Sequence, residues 1–571
     1  MNPIVSPREK IVVRETDPLV INRLQQELKV PYGIAAILAG RNLCTFEQCR
    51  AFFRPELSQF HDPFLFEHMQ IAVQRIEDAL KRHEKIIIYG DYDVDGITST
   101  ALLVQVLRRL GADCDYFLPN RLTDGYGISE NGIRQIASKK AGLIISVDCG
   151  ITAVYEAAVA TNIGMDMIIT DHHEPQGALP DVVAIINPKV NSSQYPDKNL
   201  AGVGVALKLC QALAKHTGTD EQLWLPFLDI VALGTAADIV PLLGENRIIT
   251  RYGFQILENT IHIGLKALID LQKLSGKKIS TSEVVFQLAP CINAGGRLGD
   301  ATRGVELLLT EDPTIAWQTA NELLETNLER RALDNAVAQE AMEWVEKNCS
   351  LDRDFTLVAG KESWHVGVIG IVASKLVERF HRPAILFSID ANGVGRGSGR
   401  SVPGLHLLEA LSQCSDLLES FGGHAAAAGM NIKSQNIDLF REKLNQVVGS
   451  MVKAEDLVPQ VIADAEINLS QLNPKFFRII NEMAPFGPGN MRPVLFCKNL
   501  KQKSSPRVVG QKHLKMLVVG DGVSMDAIGF NFGNRYDEIC RASEINLAFS
   551  LDENEWNGRI NLQMKVKGVS L

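Results

Sequence analysis

Residues 85–96 read Lys-Ile-Ile-Ile-Tyr-Gly-Asp-Tyr-Asp-Val-Asp-Gly. The run Lys85–Tyr89 is apolar and β-branched and stops at Gly90. A short continuous apolar run of this kind predicts a strand buried on both faces, the signature of a parallel sheet. Immediately after it, Asp91, Asp93 and Asp95 alternate with other residues. In an extended segment alternate side chains point to one side, so the three carboxylates are expected to share a face. Two like charges 4 Å apart repel by about 4 kcal/mol at an effective dielectric near 20. A bound divalent cation reverses that cost. The alternative is a polar loop whose carboxylates are solvated.

The same arrangement recurs downstream. Leu143–Val147 (LIISV) ends in Asp148, and Met167–Thr170 (MIIT) ends in Asp171-His172-His173. Val183–Ile186 forms a further strand-like run, and Thr98–Leu110 and Ala153–Thr161 have helical character. Strands alternating with helices predict a doubly wound parallel sheet. Ligands of such sheets bind in the crevice outside the carboxyl ends of the strands, so three acidic strand ends are expected to converge there. A mixed Asp/His set suits Mn²⁺, Mg²⁺ or Zn²⁺, and its oxygen-rich balance favours Mn²⁺ or Mg²⁺. A fourth acid, Asp238, closes the apolar Ile230–Ala237. A helix cap is the alternative reading of that residue.

Five segments follow from the changes in pattern along the chain. Residues 1–70 are a helical segment around Pro55 and Pro63, and 71–312 hold the acidic α/β pattern. Residues 313–349 are a charged helix without Gly or Pro after Pro313, and 350–456 form a second α/β pattern containing the glycine-rich Gly393–Gly404. Residues 457–571 have short strands and turns that predict an all-β barrel. Between Arg492 and Lys515 this last segment has seven cations, Arg492, Lys498, Lys501, Lys503, Arg507, Lys512 and Lys515, and no acid. Phe486, Phe496, Phe530 and Phe532 lie nearby as candidate stacking partners for bases. A solvated charged edge over core phenylalanines is the alternative.

Composition sets the outer bounds. The chain has 571 residues, 22% charged and 46% hydrophobic, a globular balance. Its ten cysteines show no metal spacing and read as free thiols of a reducing cytosol. No apolar run approaches the roughly 20 residues a membrane span requires, and the N-terminus lacks the apolar core of a signal peptide, so a cytoplasmic location is expected. The net charge of −9 argues against coating nucleic acid through bulk positive charge. It is unevenly distributed: residues 457–571 carry +3 and the remainder −12.

DYDVDG, SVDCG, TDHHEP and GTAADIVP together resemble the four motifs of the DHH phosphoesterase superfamily. LAGVGVALKL (200–209), FQLAPCINAGGRLGDA (286–301), WHVGVIGIVASKL (364–376), GSGRS (397–401), FGGHAAAAGM (421–430) and APFGPGN (484–490) are similar, in order, to the RecJ family of single-strand-specific 5′→3′ DNA exonucleases. The resemblance implies a DHH domain, a DHH-associated α/β domain after a long helix, and an oligonucleotide-binding (OB) barrel. It implies two divalent ions, Mn²⁺ or Mg²⁺, held by Asp93, Asp95, Asp148, His172 and Asp238, with Asp148 shared between them. Asp91 is either a direct ligand or a neighbour that supports them. His173 is implied to contact the scissile phosphate and His424 to reach the substrate from the second domain. Ser398, the amides of GSGR including Gly399, and Arg400 are implied to bind a 5′-terminal phosphate, aided by Arg121 and Arg297. The implied activity is two-metal hydrolysis of single-stranded DNA to 5′-mononucleotides in repair and recombination, with single-strand-binding protein and a helicase as partners. Two other readings remain: a DHH phosphodiesterase for short oligonucleotides or cyclic dinucleotides, and a non-catalytic replication scaffold. One departure is Cys291, where the family usually has arginine.

Overall fold

The computed structural model describes residues 8–120, 127–298, 300–556 and 559–571. They form two compact units. One comprises Thr45–Leu328 and Glu482–Arg492; the other comprises the chain up to Cys44, Glu329–Asn481 and Pro493–Leu571.

The first unit is built on the expected parallel sheet. Strand β1 (Ile86–Gly90) leads into helix α1 (Val94–Arg109), followed by β2 (Cys114–Phe117), β3 (Leu143–Val147), β4 (Asp166–Thr170) and β5 (Ala184–Ile186). All neighbours are parallel, in the order β2-β1-β3-β4-β5. β1 and β3 are buried along their whole length, as their apolar sequences require. The edge strand β2, CDYF, is mostly half-buried and lacks the apolar run that marks the others, which is why the sequence did not reveal it. In this order the chain reverses direction across the sheet between β1 and β3, and the ligand crevice lies there.

The extended geometry expected for Asp91–Asp95 does not hold. Asp93 is the N-cap of α1, its carboxylate accepting the Gly96 N–H at 3.1 Å, and Asp95 lies in the first helical turn. The preference of aspartate for N-cap positions converts the alternation into a strand-to-helix turn. Helices α2 (Gly202–Thr217), α3 (Leu228–Ala237) and α4 (Gly244–Leu257) pack with α1 in the main core. After them comes α5 (Ala289–Leu298), preceded by a π-helical turn at Val284–Leu288. Helix α6 (Pro313–Asn348) is the long charged helix, and the division between units falls inside it.

The second unit contains an α/β domain and a barrel. Strands β6 (Leu357–Lys361), β7 (Ala384–Ile389), β8 (Val394–Arg400), β9 (Leu418–Gly423) and β10 (Ala427–Lys433) form a sheet of order β9-β10-β8-β7-β6, with helices α7 (Val366–Phe380) and α8 (Ile437–Met451). Beyond them, β11 (Leu495–Val509), β12 (His513–Gly520), β13 (Val523–Gly529), β14 (Ile545–Trp556) and β15 (Arg559–Ser570) close into a five-stranded barrel, order β11-β12-β13-β15-β14 with β11 paired back to β14. This unit also contains a strand absent from the sequence reading: Lys10–Val13 pairs in parallel with Gln460–Ala463.

Candidate metal centre and phosphate-binding surfaces

The centre forms where β1, β3 and β4 end. Asp91 follows β1 and is 1% exposed. Asp148 follows β3 in a left-handed conformation (φ 58°), which aspartate tolerates better than most residues. Asp171, His172 and His173 follow β4. Asp238 stands at the C-terminal end of α3. Two glycines allow the close approach. A Cβ on Gly202 would lie 2.7 Å from Asp148 Oδ1, and one on Gly296 would lie 2.4 Å from the Tyr92 carbonyl oxygen.

The carboxylates and imidazoles occupy distinct environments. Asp95 accepts the Gly202 and Val203 N–H groups, each at 2.7 Å, so the amino end of α2 holds it. Burial and the charge of Asp93 nevertheless raise its pKa to about 7. Burial, Asp95 and Asp93 raise Asp238 to about 9. Burial and the surrounding acids push Asp148 well above the usual carboxylate range, and burial with Asp93 does the same for Asp91. His172 Nδ1 lies 3.1 Å from the Leu200 carbonyl oxygen, which can only accept, so Nδ1 carries the proton. Burial holds the ring neutral, with a pKa of about 3, and its Nε2 lone pair faces the acids. That nitrogen is 3.2 Å from Asp148 Oδ1, 3.6 Å from Asp238 Oδ2 and 3.9 Å from Asp95 Oδ2.

His172 Nε2, Asp148 Oδ1 and Asp238 Oδ2 are all buried without a hydrogen-bond partner. Three unpartnered acceptors around one point are costly, and a cation there would remove the cost. Potential ligand atoms cluster in three overlapping sets: Asp95/His172/Asp238, Asp91/Asp93/Asp148 and Asp148/His172/His173, each within 4.8 Å. Asp148 and His172 each occur in two of the sets, so the three form one continuous cluster. The donor set therefore fits divalent cations with oxygen and imidazole ligands.

Asp171 is among the acidic strand ends that the sequence brings to the crevice, but its own role emerges only in three dimensions. It is buried, and its Oδ1 accepts the His172 and His173 N–H groups and faces His173 Nδ1 at 2.8 Å, while Oδ2 accepts the Ile151 N–H. Burial opposes its charge, but these bonds prevail and lower its pKa; they also raise that of His173 against the effect of burial. His173 is thereby held through Nδ1, with its side chain 43% exposed. Lys189 was missing from the sequence-derived site residues. It follows β5, where Asn187 accepts its N–H and donates to the His173 carbonyl, and its charge acts on both His172 and Asp238.

Arg121 lies outside the described residues. Arg297 sits half-buried in the last turn of α5, beside the Gly296 that abuts Tyr92. Cys291 is fully buried: its sulfur accepts from Gln272 at 3.0 Å and Asn327 at 3.5 Å, and its thiol donates to the Gln287 carbonyl.

In the second unit, GSGR is the end of β8, paired with β7 on one side and β10 on the other. Its amides face the sheet ladder, which corrects the expectation that they, including that of Gly399, offer themselves to phosphate. The period-two geometry turns Gly395, Gly397 and Gly399 toward Phe387, Met430 and Leu407. Arg396, Ser398 and Arg400 occupy the other face, and Arg400 donates to the Ser398 hydroxyl at 3.0 Å. Arg396 escaped the sequence reading, although the alternation of GRGSGR could have revealed it. His424 is exposed between β9 and β10, with Nδ1 accepting the Ala426 N–H at 3.3 Å.

The barrel separates the predicted basic and aromatic residues. Lys498, Lys501, Lys503, Arg507 and Lys512 are exposed, and Lys515 is half-buried and paired across strands with Arg507. Phe496 is buried against Ala463 and Ala548, so it is a core residue and no stacking platform. Arg492 lies over the half-buried Phe486, 4.6 Å from the ring centre, in the catalytic unit and not in the barrel. Phe530 is 44% exposed beside His513 and Lys565, whereas Phe532 is half-buried.

A doubly wound sheet with this acidic, imidazole-containing crevice defines a metal-dependent phosphoesterase. Family models agree: the DHH family N-terminal domain matches residues 85–235, the DHHA1 domain 354–450 and the RecJ OB domain 463–568. The chain is 40% identical over 564 residues to the single-stranded-DNA-specific exonuclease RecJ of Bacillus subtilis, covering 98% of this chain and 70% of that protein. It is 37% identical over 521 residues to RecJ of Escherichia coli, covering 87% of this chain and 89% of that protein. A solved structure of RecJ from Thermus thermophilus in complex with Mn²⁺ superposes with a TM-score of 0.84 at 27% identity, covering 99% of this chain and 79% of that one. The chain belongs to the RecJ family of single-stranded-DNA-specific exonucleases. Among the described residues no helix is long and apolar enough to cross a membrane.

Proposed function

We propose that this chain degrades single-stranded DNA from the 5′ end, releasing 5′-mononucleotides by hydrolysis that depends on two divalent ions, Mn²⁺ or Mg²⁺. The observation that carries the reading is the convergence of Asp148 Oδ1, His172 Nε2 and Asp238 Oδ2, buried without partners, at the crevice. Ions held by Asp93, Asp95, Asp148, His172 and Asp238, with Asp91 beside them, would acidify a bound water and offset charge on the phosphoryl oxygens. The chain's own residues supply the rest. Asp171 fixes the His173 ring so that Nε2 can donate to a non-bridging phosphate oxygen, and Lys189 adds positive charge at the same rim. Asp95, held by two amides of α2, keeps one side of the site rigid.

Polarity in this reading comes from the second domain. Ser398 and Arg400, with Arg396 in the same row and Arg121 and Arg297 assisting, bind the terminal 5′ phosphate, and His424 contacts the strand. A guanidinium paired with a hydroxyl matches a phosphate monoester. The barrel follows the strand through Lys501, Lys503, Arg507, Lys512 and Lys515, and Arg492, which precedes the barrel, adds a further cation for the phosphates. The biological setting is repair and recombination in the cytoplasm, with single-strand-binding protein and a helicase delivering substrate.

The test is cleavage of single strands labelled at either end, with Mn²⁺, Mg²⁺ or chelator. Labelled mononucleotide from the 5′-labelled strand at the earliest times, abolished by chelator, is expected. Early loss from the 3′ end, or undiminished cleavage by Asp148→Ala, would refute the proposal.

A further inference from the structure

Ile239, the residue after Asp238, is unusual in two independent respects. It adopts the left-handed conformation, φ 64°, which crowds a β-branched side chain and is rare for isoleucine. Its side chain is also directed outward, 72% exposed. A single exposed apolar residue is ordinary. One held in a strained conformation beside a candidate metal ligand is not, because such strain persists only where the surroundings impose it.

The surroundings do impose it. Upstream, Asp238 is fixed as the last residue bonded to α3, its N–H reaching the Gly234 carbonyl at 3.0 Å. Downstream, the Leu242 N–H donates to the Pro488 carbonyl at 2.8 Å, and Asn246 donates to the Pro241 carbonyl. The 484–490 segment that receives Leu242 is itself anchored: Arg247 donates to the Ala484 and Pro485 carbonyls, and Asn490 to those of Met483 and Pro485. The chain is thus held on both sides of Ile239. Neighbouring Cα atoms are about 3.8 Å apart, so this exposed residue is anchored directly beside Asp238, whose carboxylate enters the cluster.

Resting on the function proposed above, we infer that Ile239 is an apolar bearing surface for the base of a nucleotide next to the scissile phosphate, and so a substrate-positioning residue. An aliphatic surface accepts the face of any base without reading its edge. This suits an exonuclease that must pass every sequence, as sequence-tolerant base contacts do elsewhere.

The experiment compares wild type, Ile239→Gly and Ile239→Asn, both substitutions compatible with a left-handed backbone, on 5′-phosphorylated single strands. One strand has normal nucleotides at the 5′ end and the other abasic nucleotides at the first two positions. Both variants are expected to melt no lower than wild type and to lose about tenfold in kcat/KM on the normal strand. Wild type is expected to lose a similar factor on the abasic strand, and the variants little more, because the base they would have met is already absent. Variants with wild-type kcat/KM, or variants that lose a further tenfold on the abasic strand, would overturn the inference alone. A wild type inactive on the normal strand would overturn the proposed function, and this inference with it.

Discussion

Replacing Gly202 by alanine tests whether the packing of α2 against the acids sets the metal centre. The added Cβ would stand 2.7 Å from Asp148 Oδ1, 2.8 Å from its Cβ and 2.9 Å from its Cγ. All are closer than non-bonded carbon contacts allow, and Asp148, buried at the end of β3, has little freedom to retreat. Either Asp148 shifts or α2 retracts. Retraction would stretch the two 2.7 Å bonds from the Gly202 and Val203 N–H groups to Asp95. Hydrogen bonds to charged groups contribute about 1.5–3 kcal/mol each, and overpacking costs about 1–3 kcal/mol. In a reacting site, a displacement of about 1 Å can lower the rate roughly a hundredfold. Gly204→Ala, one half-turn along the same helix, is the control: its added Cβ meets the movable Leu200 Cδ2 at 3.1 Å. The assay is Mn²⁺ affinity by competition with a fluorescent chelator, alongside single-turnover cleavage. Gly202→Ala should weaken metal binding at least tenfold and slow cleavage about a hundredfold, with Gly204→Ala near wild type. A Gly202→Ala protein with normal metal affinity and rate would refute the packing argument.

The metal-free protein should lose stability as pH rises from about 4 to 9, because Asp95 and Asp238 titrate near 7 and 9 when folded but near 4 when unfolded, so that the folded state binds more protons across that window. His172, lowered to about 3, acts oppositely between about 3 and 6.5; melting curves against pH, with and without Mn²⁺, should show the ion's stabilisation growing above pH 7, and calorimetry in two buffers should detect proton release on binding. Arg400→Ala should lower kcat/KM about tenfold or more on 5′-phosphorylated strands and far less on 5′-hydroxyl strands, an equal loss on both counting against a terminal-phosphate site. Combining Arg507→Gln, Lys512→Gln and Lys515→Gln should lower the slope of log affinity against log salt by about 0.7 for each phosphate that is no longer neutralised; binding measured by anisotropy in Ca²⁺ with an unchanged slope would exclude this edge of the barrel.

The fold was legible where sequence and burial coincide. β1, β3 and β4 are buried on both faces, so their composition admits few other readings. The half-exposed β2 and the long β11, which runs on to Val509 through exposed Lys501, Lys503 and Arg507, could not be bounded in this way. Site residues were legible where several chemically matched residues stood at strand ends. Those that act by orienting others were not: the oxygens of Asp171 face His173 and backbone amides, and nothing in TDHHEP distinguishes that carboxylate from a ligand. The aromatic residues show the limit of composition most clearly. Four phenylalanines near a basic run were equal candidates, yet Phe496 is buried among alanines while Phe530 stands exposed beside Lys565. Phe496 lies within β11, where register turns it inward, and Phe530 lies in the turn after β13; a cluster in sequence records neither.

The chain's acidity and its expected substrate are compatible for a reason visible at the centre. A phosphodiester would be repelled by a crevice of ionised carboxylates, but burial and mutual repulsion raise Asp91, Asp95, Asp148 and Asp238, so the metal-free site does not hold its full formal charge. The same repulsion that makes the empty site unfavourable makes cation binding favourable, and each ion displaces protons as it enters. Affinity for metal and tolerance of an anionic substrate thus arise from one arrangement. In the proposed function the terminal phosphate is met by the row Arg396–Ser398–Arg400 and the rest of the strand by the exposed cations of the barrel. Residues 457–571 have a net +3 in a chain of −9. That separation predicts binding that falls with salt in proportion to the few phosphates the barrel contacts, and cleavage that is limited by occupancy of the metal centre. Salt should therefore raise KM with little effect on kcat, whereas lowering pH below 7 should depress kcat through loss of metal.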